Sequence, residues 1–320
     1  MLFLALAVGC SLAIGMIFKY TGRERMDRIT LLTVNYAAAV ATAGVLLAFG
    51  GRTASTGLTW SPSLLGLAIG TGALLIAGFF VLMLATDVAG MSLAIGVMRV
   101  SVVIPFLASW IVWSETPTIA QGAGMLVAAA SFFLIAHRPS EPLPVLAGST
   151  DPPEVPVSET VSHEGPQDTP SASASTSSLK VFGVLALTFL SGGAVDVSMK
   201  TFQEGFGAAN SRVLFLLLAF GVSFVIGAVI VLVRGLRSGD WPETRTVAWG
   251  LGLGVINYGS LEFILRAIER LPGTFVFPAN NIAVVVLAAV LGVTVWKETL
   301  TRPNRIGLGM AVVALLLLNF

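Results

Sequence analysis

The sequence predicts an all-α membrane protein of ten transmembrane helices, arranged as two inverted five-helix repeats. Three observations predict it. First, the 320 residues are 55% hydrophobic and only 11% charged, where a soluble domain carries about 25% charged residues. Mean hydropathy is +0.89, so lipid rather than water is the solvent for most of the chain. Second, apolar runs of roughly 20 residues, the length a membrane helix needs, recur ten times. Third, the strings "WSETPT" (Trp113 to Thr118) and "WKETLT" (Trp296 to Thr301) close two of those runs at an offset of 183.

Composition also excludes whole classes. Eighteen Lys and Arg against 17 Asp and Glu leave a net charge of +1, with no basic footprint for nucleic acid. One cysteine, Cys10, allows no intramolecular disulfide framework and no metal cluster. Both histidines lie outside the apolar runs, which removes the commonest zinc ligand and general base from the membrane interior. No cofactor is expected.

The elements follow in order. The first run, from Leu2 to Phe18, lacks the basic leader and the A-x-A-like site of a cleaved signal peptide, so it reads as a retained helix. Candidate spans cover 2–19, 30–50, 62–86, 89–113 and 118–137. Then comes 138–179, with the string "PSEPLPVLAGSTDPPEVPVSETVSHEGPQDTPSASASTSS". Its Pro, Ser and scattered acids have little to bury, so it reads as a disordered linker. Five more spans follow at 180–200, 209–234, 246–268, 272–296 and 303–320. The organisation is thus a repeat at 1–137, a linker at 138–179 and a repeat at 180–320.

Sliding the chain by 183 aligns Gly90 with Gly273 and Gly124 with Gly307, besides the doubled corner. Near the start of each half an offset of 181 aligns Leu4 with Leu185 and Lys19 with Lys200. Matches in order across several helices indicate an internal duplication. Five is odd, so the second copy enters the membrane from the opposite side. That is the inverted-repeat architecture of many secondary transporters. Twelve Lys or Arg fall on one side and five on the other. The positive-inside rule then places the linker in the cytoplasm and both termini outside.

Here the residues carry a family likeness. The unit "VMRVSVVIPFLASWIVWSETPTIAQGAGMLVAAASFFLIA" resembles the end of an EamA domain of the drug/metabolite transporter superfamily. An apolar helix with Pro near its middle runs into an acidic Glu-Thr corner, and a Gln and a Gly open the last helix. The second copy, "PANNIAVVVLAAVLGVTVWKETLTRPNRIGLGMAVVALLLL", fits the pattern with Asn304 in the Gln position. The resemblance implies a ten-helix carrier of small metabolites with a central cavity between the repeats, in the inner membrane of a bacterium. The long linker and the external termini depart from the pattern expected of many members.

An ionisable side chain at helix centre is costly, so it should face the bundle interior and serve function. Arg99 lies about ten residues into its span, and suits an anionic group such as a carboxylate. Under the 183 offset Val97 and Met98 correspond to Asn280 and Asn281, so both halves place hydrogen-bonding groups near one depth. Asn257 and Tyr258 sit near the centre of the eighth span, and Asn35 and Tyr36 lie in the second. Such groups suit a polar substrate, or alternatively join helices. Asp196 precedes Lys200 by four residues, and Glu262 precedes Arg266 by four. Each acid is one turn from a base, and the four are candidates for ion coupling or a gate. Pro105 and Pro278 lie within spans, where each is expected to kink its helix.

The expected function is a secondary carrier for a small polar metabolite, anionic or zwitterionic, with protons as the candidate coupling ion. An exporter of drug-like compounds and a sugar-type carrier are alternatives on the same frame. No Walker-type loop supports ATP drive, and no H-E-x-x-H or G-x-S-x-G string supports a membrane-embedded enzyme. A membrane scaffold explains the hydrophobicity but not polar groups at matched depth. In this reading the doubled Glu corner marks topology, with Glu115 and Glu298 on opposite membrane faces.

Overall fold

The computed structural model describes residues 1–49, 61–89, 91–136, 172–295, 297 and 301–318. They form eleven helical segments: α1 (Leu2–Arg23), α2 (Arg28–Phe49), α3 (Pro62–Ala89), α4 (Met91–Val100), α5 (Val103–Ile111), α6 (Ile119–Ala136), α7 (Ala172–Gly205), α8 (Arg212–Ser238), α9 (Thr244–Ile268), α10 (Gly273–Thr294) and α11 (Arg302–Leu318). Segments α4 and α5 are one interrupted rod, which leaves ten rods. Eight rods are long and apolar enough to cross a membrane, and α6 is a shorter apolar helix. The chain is a multi-pass, all-helical membrane protein. Its outer surface agrees, since Leu126, Leu187, Val229, Leu232 and Leu316 are all exposed, a pattern that suits lipid rather than water.

Local chemistry sets the ends. Asp27 accepts the Thr30 backbone N–H at 3.0 Å and so caps α2. Helix α8 stops at Gly239, whose φ of 72° is left-handed and favours glycine. Before α6, Thr118 and Gln121 bond reciprocally at 3.1 Å, each side chain to the other's backbone N–H. That box satisfies two otherwise orphaned groups. Helix α7 starts at Ala172, two turns before the expected boundary at 180, so the linker's last residues are helical. The remainder of the expected disordered segment, 138–171, lies outside the described residues.

The span expected over 89–113 is broken. Pro105 has no N–H, and its ring excludes the carbonyl four residues back. That carbonyl belongs to Ser101, and residues 101–102 form the turn between α4 and α5. Pro278, by contrast, sits within an unbroken α10, so of the two expected kinks only the Pro105 one interrupts its helix.

Packing joins the first five rods to the last five throughout. Helix α1 packs on α9 and α10, α2 on α8 and α9, and α3 on α7 and α8. Helices α4 and α5 pack on α7, α5 also on α10, and α6 on α11. At the crossing of α2 with α9 a Cβ at Gly254 would overlap the Asn35 carbonyl and sit 2.5 Å from the Ala38 Cβ. Only glycine permits that approach.

Candidate functional site

The α4–α5 break positions the polar groups at mid-span. Arg99 lies in the last turn of α4, and Ser101 at the break donates its hydroxyl to the Met98 carbonyl at 2.6 Å. Helix α7 meets the break through Gly192 and Gly193. A Cβ at Gly192 would lie 2.7 Å from the Ser101 hydroxyl, and one at Gly193 would lie 2.5 Å from Ile104. Asp196 follows Gly192 by one helical turn, so the same close approach carries a carboxylate towards Arg99.

Across the break Arg99 Nη1 donates to Asn281 Oδ1 at 3.1 Å. The Asn281 amide is itself fixed, because Nδ2 donates to the Phe277 carbonyl at 3.1 Å. The neighbouring Asn280 Oδ1 is buried and has no protein partner. Arg99 and Asp196 act on each other electrostatically. Each keeps part of its surface accessible. Sequence reasoning expected Arg99, Asn280 and Asn281 near one depth. The structure brings Arg99 and Asn281 into contact and adds Asp196 to the group.

A second polar group lies between α2 and α9. Asn257 Nδ2 donates to Asn35 Oδ1 at 3.2 Å, beside the Gly254 crossing, so Asn257 ties two helices. The Tyr36 hydroxyl donates to the Leu75 carbonyl at 3.2 Å. The Phe220 ring lies 6.1 Å from Tyr36 and 6.4 Å from Tyr258. Tyr258 is buried, and its hydroxyl has no protein partner.

The third group closes one end of the bundle. Arg266 Nε donates to Glu262 Oε1 at 2.7 Å, and Arg212 approaches the same oxygen at 3.7 Å while pairing with Glu269 at 2.6 Å. Glu262 and Arg266 therefore pair as the spacing predicts. Asp196 and Lys200 do not. Lys200, 1% exposed, pairs instead with Glu115 at 2.5 Å and Glu204 at 2.6 Å. Lys200 reaches the end of α7, where these two carboxylates sit, while Asp196 turns towards Arg99. The Trp113 ring lies 6.0 Å from the ammonium, within cation–π range. Glu115 Oε2 also accepts the Thr274 N–H at 3.2 Å, so it neutralises the positive N-terminus of α10.

The corner is thus more than a marker of topology. Ser114 adopts φ 56°, a left-handed setting that costs a non-glycine residue about 1 kcal/mol or more, and the turn delivers Glu115 to α7 and α10. Glu298 lies outside the described residues. Glu115 and Glu204 are absent from the sequence-derived site, while Asn35, noted there as a polar group of the second span, proves to be the partner of Asn257. Only the doubled "WSETPT" string signalled Glu115, and nothing local signalled its partner.

The opposite end is tied by more exposed pairs. Arg234 meets Asp27 at 2.9 Å, and Arg245 meets Glu24 and the Tyr20 hydroxyl, both at 2.8 Å. Burial alone would raise the Asp27 carboxyl, but bonds from Thr30 and the Arg234 guanidinium outweigh it and hold Asp27 below its ordinary value. Two cavities, of about 340 and 490 Å³, border this end and include neither Arg99 nor Asp196. Among the described residues no group of three His, Cys, Asp or Glu is placed to hold a metal ion.

No family model matches the chain. A Haemophilus influenzae protein, itself uncharacterised, is 22% identical over 324 residues, covering 99% of this chain and 97% of its own. A protein of known crystal structure, 14% identical, superposes with a TM-score of 0.65 over 99% of this chain and 95% of its own. The fold is therefore similar over the full length in both directions.

Proposed function

We propose that the chain is a secondary active carrier of a small polar metabolite, of the EamA type in the drug/metabolite transporter superfamily. On this reading it works by alternating access in the inner membrane of a bacterium. The observation that carries it is the 3.1 Å bond from Arg99, in the first five rods, to Asn281, in the last five. It lies at a mid-span helix break, and broken helices at the interface of two repeats are where carriers bind substrate and ions. Arg99 is the anchor for a carboxylate, with the unpartnered Asn280 oxygen and the Tyr258 hydroxyl as further polar contacts.

The inverted five-plus-five repeat is part of the proposal, and the packing supports it. Helix α1 on α9 has its counterpart in α7 on α3, and α2 on α9 has its counterpart in α8 on α3. Rods α2 and α8, α5 and α10, and α6 and α11 pack on their own equivalents. Ser114 and Lys297, 183 residues apart, are both left-handed, at φ 56° and 52°. Gly124 and Gly307 are close-approach points on opposite sides of the α6–α11 contact. Lys200–Glu115 and the Glu262–Arg266–Arg212 cluster act as the gate at one end.

The test is counterflow in proteoliposomes with a panel of amino acids, organic acids, sugars and cationic dyes. Uptake against preloaded substrate by at least one compound is the expected result. Folded protein that exchanges none of them refutes the carrier. Carboxylate selectivity that survives Arg99→Ala refutes the anchor alone.

A further inference from the structure

We propose that the Arg99 site loads a monoanion together with one proton, which Asp196 carries, so that the loaded and empty sites are equally neutral. The inference rests on the carrier reading and assigns its coupling. Its basis is the charge inventory around Asp196. Helix α7 packs on α3, α4, α5 and α9. Of the charged groups on those elements, Arg99 on α4 is the one that acts on Asp196. Glu262 and Arg266 on α9 pair with each other. Asp87 is near the far end of α3. Gly78 faces Ser191, which puts Asp87 roughly 20 Å along the axis from the level of Asp196. On α7 itself, Lys200 is taken up by Glu115 and Glu204.

Arg99 and Asp196 therefore form an isolated set, neutral when both are ionised. They are not in direct contact. Among the described residues the guanidinium donates to Asn281, and Asp196 has no hydrogen-bond partner. A carboxylate substrate that enters to meet Arg99 would leave the site with one net negative charge inside low-dielectric protein, an unfavourable state. A proton taken up on an Asp196 oxygen restores neutrality. Arg99 then pairs with the substrate carboxylate, and the Asp196 carboxyl is free to donate a hydrogen bond. On release the anion leaves Arg99, the proton leaves Asp196 on the same side, and the original pair reforms. Both forms that cross are uncharged, so transport is electroneutral cotransport of anion and proton. A zwitterion brings its own balance and needs no proton.

The test uses the full chain in detergent with acetate, lactate and benzoate as probes. Binding is read by thermal shift between about pH 5 and about pH 8, and proton uptake by an indicator dye in weak buffer. With one linked proton the affinity falls about tenfold per pH unit above the Asp196 transition, and about one proton is taken up per anion bound. Asp196→Asn leaves Arg99 uncompensated, so it should bind the same anions with no pH slope and without proton uptake. If that variant is not monodisperse, proton uptake by the wild type decides alone. A flat pH profile without proton uptake, a slope retained in Asp196→Asn, or no binding of any probe by either protein overturns the inference. A flat profile alongside intact counterflow overturns the coupling and leaves the carrier standing. Loss of counterflow in every assay strikes the carrier itself.

Discussion

Lys200 offers the sharpest test of how the halves are held together. Replacing it with Met keeps the length of the apolar stem and removes the charge. Lys200 is 1% exposed, while Glu115 and Glu204 are 20% and 42% exposed. Removing one partner of a buried pair costs about 3–5 kcal/mol. Glu204 is largely solvated and contributes little, and Glu115 keeps the Thr274 N–H, so the lower end, about 3 kcal/mol, applies. Glu115→Gln strands the buried ammonium beside Glu204 alone and should cost about 2–3 kcal/mol by the same reasoning. The double variant replaces the pair with neutral groups of similar volume, so it should recover most of either loss. Cys10, the one cysteine, is partly buried and lies where a Cβ on Gly259 of α9 would touch its sulfur. A thiol-reactive dye therefore follows thermal unfolding. Each single variant should lower Tm by about 5–10 °C, with the double variant nearer wild type. If the double variant instead falls by the sum of the singles, within about 0.5 kcal/mol, Lys200 and Glu115 are not coupled and do not hold the halves together.

Three further expectations concern the frame. Gly254→Leu should abolish a monodisperse gel-filtration peak, because its side chain meets the Asn35 backbone; Gly252→Leu, with open space around it, should not. Asn257→Ala should lower stability by only about 0.6 kcal/mol, the usual worth of such a bond between membrane helices. A large change in substrate KM with unchanged Tm would contradict its assignment as a helix tie. Asp27 is held below its ordinary value when folded, so its contribution is present above the unfolded carboxylate range, near pH 4. That contribution is lost as pH falls through the lower folded value. Asp27→Asn should be less stable at neutral pH and show a shallower acid loss in a Tm profile. Parallel profiles for the two proteins would refute the shift.

What the sequence made legible divides by range. The ten rods follow from apolar length alone, and Arg99 stands out because nothing else ionisable lies near the middle of its run. Asn281 was found through the 183 offset, which turns a long-range neighbour into a local comparison. Helical spacing offers Lys200 two acids at four residues, Asp196 and Glu204, of which it pairs only with the second, while Glu115 is 85 residues away and arrives only through the Ser114 turn. Asp196 was placed with the wrong charge for the same reason. The Pro105 break was anticipated in kind, but its place one turn earlier follows from the carbonyl that the ring excludes. The Ala and Ser residues before Lys180 read as linker from their polarity, yet they extend α7 because neither type opposes a helix strongly.

On the carrier reading, the two ends differ in what must break for each to open. The halves are joined at one end by Lys200 with Glu115, a pair whose cation is buried. At the other they are joined by Arg234 with Asp27 and Arg245 with Glu24, with side chains 31–51% exposed. Exposed pairs contribute little and are screened by salt, whereas the buried one is screened much less. Raising salt from about 0.1 M to about 1 M shortens the Debye length from about 10 Å to about 3 Å. That should loosen the Asp27 end selectively. In a Cys10→Ser background, Met26→Cys probes that end and Thr274→Cys probes the Lys200 end; the parent residues are 8% and 2% exposed. Salt should speed alkylation at position 26 and leave position 274 unchanged. Equal acceleration at both, or a faster rate at 274 alone, would mean that the exposed pairs are not what keeps that end shut.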